Sequence, residues 1–357
     1  QLACLHALRQ DLDAAQGRTR LLFGITGSGK TAVYLELARY CLERGRSVYL
    51  LAPEVALACQ LRRAALVWFP EGRCPGGGRV HFSHGYQSPA RRERTWRELA
   101  ASRVPALVIG TRSALFVPAP EPGLVILDEE HDSAFKQGER LTYQAKEVAW
   151  ALTERRRGLL LLGSATPDVK TFHAAERGAV ALDRLTHRVG GGAVPGITLL
   201  DIRGLKPTEQ LLAEESVARL AETVARGDQA MVMLNRRGYA PLMYCQDCGK
   251  TAHCTQCDIG LTFHKDRERL VCHYCGLSLP FPLICEGCGG SRWLPMGEGT
   301  ERLEEGLRLA LPSGTGVLRL DRDSTRRPGR LEEILEAFSR GEAQVLVGTQ
   351  MLSKGHH

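Results

Sequence analysis

Short apolar runs alternate along the first 170 residues with longer stretches in which apolar residues recur at helical spacing. The runs of strand length are Leu21–Phe23, Ser47–Ala52, Ala106–Ile109, Leu124–Leu127 and Leu159–Leu162. Helical spacing extends over Thr31–Glu43, where Gly45 ends the pattern, and over Val55–Val67. This alternation predicts a parallel sheet with helices on both of its faces.

The same rhythm returns after Gly190–Gly196, a Gly- and Pro-containing stretch that predicts a linker. The later runs of strand length are Ile197–Ile202, Ala230–Leu234, Val317–Leu320 and Gln344–Val347. The later helical stretches are Glu209–Arg226, the residues after Thr300, and Leu331–Phe338. A cysteine-rich segment interrupts this second region. We therefore predict lobe 1 over residues 1–188, a linker and the start of lobe 2 over 189–242, a metal-binding module over 243–292, and the continuation of lobe 2 over 293–357.

Composition places the chain among ordinary globular proteins and excludes a disordered scaffold. Of its 357 residues, 43% are hydrophobic and 24% are charged. No apolar run is long enough to span a membrane, no signal peptide is visible, and Gln1 is not a plausible native start. The chain also stops one short loop past a strand, so we expect a fragment with an incomplete second lobe.

Charge adds little to this picture. The formal net charge of +7 permits a polyanionic partner without requiring one. The visible basic clusters are Arg91–Arg94, Arg155–Arg157 and Arg326–Arg327. Each is interpreted as a solvated helix face or loop, because such clusters form these more often than a nucleic-acid binding track. Sequence-independent binding of a strand needs only phosphate contacts and a few stacking side chains.

A phosphate-binding loop follows the first apolar run. Gly24–Thr31 reads G-I-T-G-S-G-K-T and matches G-x-x-x-x-G-K-[ST] in full, with a strand before it and a helix after it. The residues expected to surround a triphosphate are Gly27, Ser28, Gly29, Lys30 and Thr31. Backbone N–H groups would bind the phosphates, Lys30 would neutralise their charge, and the Thr31 hydroxyl would ligate Mg²⁺.

Carboxylates that complete such a site follow another apolar run. Leu124–Leu127 leads directly into Asp128-Glu129-Glu130-His131. Asp128 is expected to hold Mg²⁺ through water, and Glu129 to act as the general base that polarises the attacking water. His131 is assigned a coupling role only because it stands beside these carboxylates.

Two hydroxyl residues follow the next run, within Gly163–Thr166. Ser164 and Thr166 either connect the γ-phosphate site to a moving part of the protein or cap the helix that starts near Asp168. Taken alone, these residues favour the cap.

The cysteines divide into two groups. Cys4, Cys41, Cys59 and Cys74 are scattered singly and are interpreted as buried thiols. The other eight form four C-x-x-C hooks, at Cys245/Cys248, Cys254/Cys257, Cys272/Cys275 and Cys285/Cys288. Two hooks complete one tetrahedral zinc site, so the eight predict two structural Zn²⁺ ions with no open coordination position. Disulfides would require an oxidising compartment, which nothing in the sequence indicates.

Loop length favours one pairing of the hooks. Five residues separate the first two hooks, whereas fourteen separate the second from the third, enough for a hairpin. The favoured pairing is therefore nested, second hook with third and first with fourth. An interleaved arrangement, first with third and second with fourth, remains the alternative.

In this order, the motifs resemble the PriA family, bacterial primosomal replication-restart helicases of superfamily 2. The stretch similar to that family's Walker A run is Gly24–Leu35. Those similar to its motifs Ia, Ib, II and III are, in that order, Leu51–Val55, Ile109–Phe116, Asp128–Ser133 and Gly163–Thr166. Leu234–Tyr239 resembles the residues before its zinc module, and Gly348–Met351 with Lys354–His357 resembles its motif V. The resemblance implies an α/β protein with two RecA-like P-loop helicase lobes, the second incomplete, and an inserted two-zinc Cys-rich module.

The resemblance also implies a function. Proteins of this family are ATP-dependent 3′→5′ DNA helicases that act at stalled or repaired replication forks in the bacterial cytoplasm. Implied partners are forked or single-stranded DNA, primosome proteins, the loader of the replicative helicase and single-stranded DNA-binding protein. It implies the nested zinc pairing as well, with the module seated on the helicase core.

Individual residues acquire expected roles from the same resemblance. Thr111, Arg112 and Thr349 would contact the backbone of the tracked strand. A DNA-sensing aromatic loop would extend over Phe135–Tyr143 and use Phe135, Lys136 and Tyr143, although Leu141 stands where a further aromatic residue is expected. Gln1 would read adenine from upstream of the Walker A run.

The chain departs from the family pattern in two ways. The family's amino-terminal DNA-binding domain and its motif VI arginines are expected to lie outside these 357 residues, which alone are therefore expected to hydrolyse ATP poorly. Two other classes remain open: a non-enzymatic primosome scaffold, and an RNA helicase or chromatin-type translocase. The intact Lys30, Thr31, Asp128 and Glu129 argue against the first, and the eight-cysteine insertion argues against the second.

Overall fold

The chain divides into two compact units. The computed structural model describes residues 1–138, 141–191, 195–201, 212–234, 242–264, 268–272, 274–282, 284–296, 300–321, 324–325, 327, 329–349 and 352. The first unit extends from Gln1 to Pro195, and the second begins at Gly196.

A parallel sheet forms the centre of the first unit. Its strands are β1 (Arg18–Gly24), β2 (Ser47–Leu51), β3 (Val80–Ser83), β4 (Leu107–Gly110), β5 (Pro122–Asp128), β8 (Leu159–Ser164) and β9 (Ala181–Leu185). Between β5 and β8 the chain forms a separate antiparallel hairpin of β6 (Lys136–Gln137) and β7 (Tyr143–Gln144). Among the described residues, seven strands pair in the order β3-β4-β2-β5-β8-β1-β9. Every residue of β2, β4, β5 and β8 is buried, which explains their uninterrupted apolar sequences.

Helices cover this sheet. They are α1 (Leu2–Ala14), α2 (Lys30–Glu43), α3 (Val55–Trp68), α4 (Pro89–Ala101), α5 (Ala145–Arg155) and α6 (Val169–Glu176). The start of α4 is set by Ser88, whose side chain accepts a hydrogen bond from the Arg91 amide, and by Pro89 in the first turn. Within the described ranges, no helix is both long enough and apolar enough to cross a membrane.

The order of the strands brings three sequence motifs to one edge of the sheet. β8 pairs with both β1 and β5, so Phe23 lies beside Ser164 and Asp128 beside Gly163. Because all three strands are parallel, their carboxyl ends meet at that edge. The phosphate loop, the Asp128 turn and the Gly163 turn are therefore neighbours.

Several elements of the first unit were not expected from the sequence. They are α1, β3, α4, the β6–β7 hairpin, α5 and β9. β3 and β9 lie at the edges of the seven-stranded sheet, where partial burial leaves polar residues such as His81 and Asp183 within them. α4 is almost entirely polar and buries only Leu99, so it carries little apolar periodicity.

The second unit contains a smaller α/β layer and an antiparallel sheet. Its elements are α7 (Glu214–Ala225), β10 (Ala230–Met233), β11 (Leu242–Cys245), β12 (Thr262–His264), β13 (Arg269–Val271), β14 (Ser278–Pro280), β15 (Trp293–Met296), α8 (Thr300–Ala310), β16 (Val317–Leu320), α9 (Arg330–Ser339) and β17 (Val345–Gly348). Over the described residues, β10, β17 and β16 form a parallel sheet in that order. Its core includes Leu303, Leu307 and Val345.

The strand expected at Ile197–Ile202 is wrong over the part that the structure describes. Residues 195–201 form no strand, and Ile197 and Leu199 are 86% and 93% exposed. An apolar run becomes a strand only where another strand pairs with its backbone, and none of the described strands does so here. The helix expected from Glu209 begins at Glu214, with residues 209–211 outside the described ranges.

The cysteine-rich segment folds around its own antiparallel sheet. Among the residues described there, the strand order is β14-β13-β12-β11-β15. Met243, Leu261 and Leu270 are buried beside Cys254 and Cys272. The sheet is too small to bury a large apolar core, so the module depends on its cysteine clusters for stability.

Candidate nucleotide site and metal centres

The phosphate loop joins β1 to α2 at the carboxyl edge of the first sheet. Gly27 and Gly29 have φ of 77° and 83°, in the left-handed region that favours glycine. Lys30 begins α2, and its Nζ donates to the Gly24 carbonyl at 2.9 Å. The Ser28 hydroxyl is buried and has no hydrogen-bond partner among the described atoms. A buried hydroxyl of this kind fits a loop built to contact a ligand.

Gln1 lies against this loop. Its Nε2 donates to the Ser28 carbonyl at 2.8 Å, and a side chain at Gly29 would collide with the Gln1 amide. From the other side, the Val189 amide donates to the Gly27 carbonyl at 2.8 Å. The residue expected to read adenine thus contacts the loop itself.

Asp128 ends β5 and is buried. The Tyr34 hydroxyl donates to Asp128 Oδ1 at 2.9 Å. Burial, together with the neighbouring Glu129, raises the pKa of Asp128 to about 6, although the Tyr34 hydrogen bond and Lys30 act in the opposite direction. A carboxyl group with this pKa is mostly ionised at neutral pH, and a bound cation would favour its ionised form further.

Tyr34 was missed by the sequence analysis. It is fully buried on α2 and also packs so closely on Gly163 that a side chain there would collide with its hydroxyl. Its helical spacing from Lys30 was the available signal, but only packing shows that one hydroxyl touches both the Asp128 turn and the Gly163 turn.

Glu129 stands in the left-handed region, with φ of 50°, and its side chain is 30% exposed. His131 Nδ1 lies 3.6 Å from Glu129 Oε2 and 2.8 Å from Ser164 Oγ. His131 Nε2 lies 3.5 Å from Thr166 Oγ1. The imidazole therefore connects the carboxylate turn to both hydroxyls that follow β8.

This arrangement corrects the favoured interpretation of Ser164 and Thr166. The residue that caps α6 is Asp168, whose side chain accepts from the Lys170 amide at 2.9 Å. Ser164 and Thr166 face His131 instead, because the parallel pairing of β5 with β8 places the two turns side by side. The register of the strands, which the sequence does not state, therefore excludes the capping interpretation, and the coupling role stays a prediction.

Arg112, Lys136 and Tyr143, which are expected to contact DNA, lie in or against the hairpin of β6 and β7. Thr111 follows β4, and the Arg112 guanidinium donates to the Ala134 carbonyl and to Gln137 Oε1. Tyr143 packs edge-on against Phe116, with ring centroids 5.1 Å apart. Arg112 and Phe116 thus hold the hairpin of β6 and β7.

Phe135 and Lys136 differ in exposure. Phe135 is 0% exposed within the core of the first unit, which leaves it no face on which a base could stack. Lys136 is exposed on β6.

Parts of the expected motifs lie outside the described residues. These are Glu139 and Arg140 of the aromatic loop, residues 235–241 before the zinc module, and residues 350–351 and 354–357 of the motif V stretch. Thr349, which directly follows β17, is described and half-buried.

The eight cysteines of the module form two clusters in the nested pairing. One contains Cys245, Cys248, Cys285 and Cys288, and the other contains Cys254, Cys257, Cys272 and Cys275. The nested prediction is confirmed, and the interleaved alternative is wrong. In each cluster the sulfurs all lie within 4.8 Å of one another.

The spacing of the sulfurs fits zinc. Cys245 and Cys288 Sγ are 3.6 Å apart, as are Cys254 and Cys275 Sγ. Four sulfurs bound tetrahedrally at about 2.3 Å from a zinc ion are about 3.8 Å apart. A disulfide would require about 2.05 Å, and the cysteines are free thiols in the structure.

Backbone amides prepare two of these sulfurs for metal binding. Hydrogen bonds from the Cys275 and Tyr274 amides lower the pKa of Cys272 to about 7. Amides of Gly287 and Cys288 lower the pKa of Cys285 to about 7 as well. The thiolate is the form that binds a metal, so the knuckle turns favour the chemically competent state.

The remaining four cysteines are buried, as predicted. Burial raises the pKa of Cys4 and Cys41 to about 12 and that of Cys74 to about 11. Thiols with such pKa values are protonated and unreactive at neutral pH.

Two family models match the chain. The model described as DEAD/DEAH box helicase matches residues 2–174, which contain the phosphate loop and both turns beside it. The model described as the PriA DNA helicase Cys-rich region domain matches residues 254–280, the inner zinc cluster and its hairpin.

Known relatives match nearly the whole chain. The replication restart protein PriA of Bacillus subtilis is 39% identical over 99% of this chain, and that of Haemophilus influenzae is 37% identical over 94%. The alignments cover 43% and 45% of those two proteins, so the chain spans less than half of their length.

Among solved structures, the helicase MrfA bound to DNA is similar. It matches 99% of this chain and 40% of its own, at 14% identity and a TM-score of 0.55. At that identity the likeness shows the fold, and it agrees with two α/β helicase lobes.

Proposed function

Because the chain belongs to the PriA family of replication-restart proteins, we propose that it is the motor core of an ATP-dependent DNA helicase. We infer 3′→5′ movement along single-stranded DNA and action at stalled or repaired forks. The observation that carries the proposal is the convergence of Lys30, Asp128 and Glu129 at the carboxyl edge of β1, β5 and β8.

The nucleotide chemistry follows from that edge. The backbone N–H groups of Gly27–Thr31 would bind the phosphates, while Lys30 would exchange its bond to the Gly24 carbonyl for phosphate oxygen. Mg²⁺, held by Thr31 and through water by Asp128, would neutralise charge on the β- and γ-phosphates. Glu129 would orient and deprotonate the attacking water.

The turns beside this site would carry the structural change that follows ATP hydrolysis. His131 contacts Glu129, Ser164 and Thr166, so a change at the general base reaches the residues that follow β8. Gln1 would bind adenine and report on it through the Ser28 carbonyl. We assign Thr111, Arg112, Lys136, Tyr143 and Thr349 to contacts with the tracked strand or to coupling.

Partners and compartment complete the proposal. We propose that the protein works in the bacterial cytoplasm, binds forked DNA, and assembles primosome proteins with the loader of the replicative helicase and single-stranded DNA-binding protein. Its two cysteine clusters would each hold one structural Zn²⁺, because their sulfur spacing fits a tetrahedral ion.

Substitution Lys30→Ala in the full-length protein tests the motor. Loss of the lysine charge from the phosphate site is expected to lower DNA-stimulated ATP hydrolysis by about two orders of magnitude or more. Hydrolysis is measured with forked DNA, duplex DNA and RNA, and replication restart is measured in cells that carry the variant.

Lys170→Ala, which removes an exposed lysine of α6, is the matched control. Restart that survives Lys30→Ala unchanged would favour a non-enzymatic scaffold. Stimulation by RNA that equals stimulation by forked DNA would favour an RNA translocase.

A further inference from the structure

A buried carboxylate, Glu130, lies directly after the general base, and the helicase motifs assign it no function. Its side chain is 0% exposed. Lys146 Nζ donates to Glu130 Oε2 at 2.8 Å, and the Asp168 amide donates to Glu130 Oε1 at 2.7 Å. The Thr171 hydroxyl donates to Glu130 Oε2 at 3.1 Å. A buried carboxylate with all these donors is held in one position, because any other would leave its charge without partners.

This carboxylate fixes the turn that carries Glu129. The Glu130 amide donates to the Gly163 carbonyl at 3.0 Å, which ties the turn after β5 to the end of β8. Lys146 Nζ also reaches Asp168 Oδ2 at 2.9 Å, at the start of α6. One ammonium group thus joins both turns beside the nucleotide site.

Lys146 also connects these turns to the β6–β7 hairpin, which precedes it in the chain. It is the second residue of α5, and α5 follows β7 without an intervening loop. Tyr143, in β7, is three residues before Lys146 and rests against Phe116, while β6 is held by Arg112. The hairpin is therefore directly continuous in the chain with the first turn of α5, which carries the ammonium group.

We propose that Lys146 is a positioning residue that transmits the occupancy of the β6–β7 hairpin by nucleic acid to Glu129. The inference rests on the proposed function, because it requires hydrolysis that nucleic acid stimulates. Lys146 touches neither nucleotide nor nucleic acid; it sets the position of Glu130 and Asp168, and through Glu130 the orientation of the Glu129 carboxylate toward the attacking water. A measured interaction energy between Lys146 and Glu130 is the direct evidence for such coupling.

The test is a double-mutant cycle in the full-length protein with Lys146→Met, Glu130→Gln and both together. The double variant removes both charges at once, so that no buried charge is left without its partner. ATP hydrolysis is measured with and without a single-stranded oligonucleotide, together with the KM for ATP and the Kd for the labelled oligonucleotide.

Lys146→Met is expected to lower the stimulated kcat by about tenfold, within the range of allosteric couplings. The KM for ATP and the Kd for the oligonucleotide should stay within about twofold, and the unstimulated kcat should fall by much less than the stimulated kcat. The double variant should be no worse than the poorer single variant, and Lys146→Arg, which keeps the charge, should recover part of the stimulation. Lys170→Met is the control and should match the unmodified protein.

Three results would overturn the proposal. In the first, Lys146→Met lowers the stimulated and the unstimulated kcat by the same factor. In the second, the effects of Lys146→Met and Glu130→Gln simply add in the double variant. In the third, Lys146→Met leaves the stimulation by the oligonucleotide unchanged. Failure of the proposed function itself looks different, since the unmodified protein would then show no stimulation by nucleic acid.

Discussion

Asp128 is the clearest case in which a single residue's environment departs from what its sequence context suggests. A carboxylate that ends an apolar strand is readily predicted to bind a cation. Its complete burial, its hydrogen bond from Tyr34 and a pKa raised to about 6 are consequences of packing. The raised pKa means that, without a cation, the ionised form destabilises the folded protein.

Asp128→Asn should therefore stabilise the protein when neither nucleotide nor metal is present. The folded pKa lies above the ordinary value, so stability is present below about pH 4 and is lost as pH rises through about 6. A shift of about two units corresponds to roughly 3 kcal/mol in the free energy of unfolding at pH 8. Melting temperature measured at pH 8 and pH 4.5 should show a clearly larger gain at the higher pH than at the lower.

Asp168→Asn is the control with the opposite sign. The hydrogen bond from Lys146 lowers the pKa of Asp168, so its ionised form stabilises the fold above the ordinary pKa. That variant should lower the melting temperature at pH 8. Equal destabilisation by both variants would contradict the assignment for Asp128.

Elements differ in how completely their sequences predict them. β2, β4, β5 and β8 are buried throughout and appear in the sequence as plain apolar runs. β3 and β9 lie at the edges of the sheet, where one side of the strand meets solvent and the pattern is weak. The zinc module depends on cysteine spacing, which is a stronger signal than hydrophobic periodicity.

The nested pairing of the hooks can be tested by replacing whole hooks. In the first variant, Ser replaces all four cysteines of the outer cluster, Cys245, Cys248, Cys285 and Cys288. The inner cluster keeps its four ligands, so the zinc content should fall from about two ions per chain to about one. Zinc is measured by atomic emission on purified protein.

A second variant removes the first and third hooks, also with four substitutions. It leaves only two cysteines in each nested cluster, so the zinc content should approach zero. An interleaved pairing predicts the reverse, one zinc in this variant and none in the first. Each variant therefore serves as the other's control.

At the scale of the whole molecule, the two compact units have separate cores. The first unit's core surrounds Leu21, Val108 and Leu160, whereas that of the second unit's α/β layer surrounds Leu303 and Val345. The nucleotide site belongs to the first unit and both cysteine clusters belong to the second. Ligands of the two units should therefore stabilise different parts of the protein.

Calorimetry should show two unfolding transitions that respond to different ligands. A non-hydrolysable ATP analogue with Mg²⁺ should raise the transition of the first unit, because only the folded loop binds phosphate. A zinc chelator should lower the transition of the second unit, because the small antiparallel module loses its cross-links.

Lys30→Ala should abolish the shift caused by the nucleotide analogue and leave the effect of the chelator unchanged. A single transition that both ligands shift equally would contradict this independence.

The sequence by itself determined the chemistry that each segment can perform. Gly24–Thr31 specifies a phosphate loop, Asp128 and Glu129 follow a strand, and the eight paired cysteines specify two zinc sites. These signals are local, because each needs only residue types at a fixed spacing.

Tertiary structure decided which local signals act together. The parallel pairing of β8 with β1 and β5 placed Ser164 and Thr166 against His131, and the packing of α2 gave Tyr34 its contact with Asp128. Packing also buried Phe135 and brought Lys146 to Glu130, sixteen residues away in the chain. These contacts depend on register and on which faces are buried, and neither is fixed by spacing along the chain.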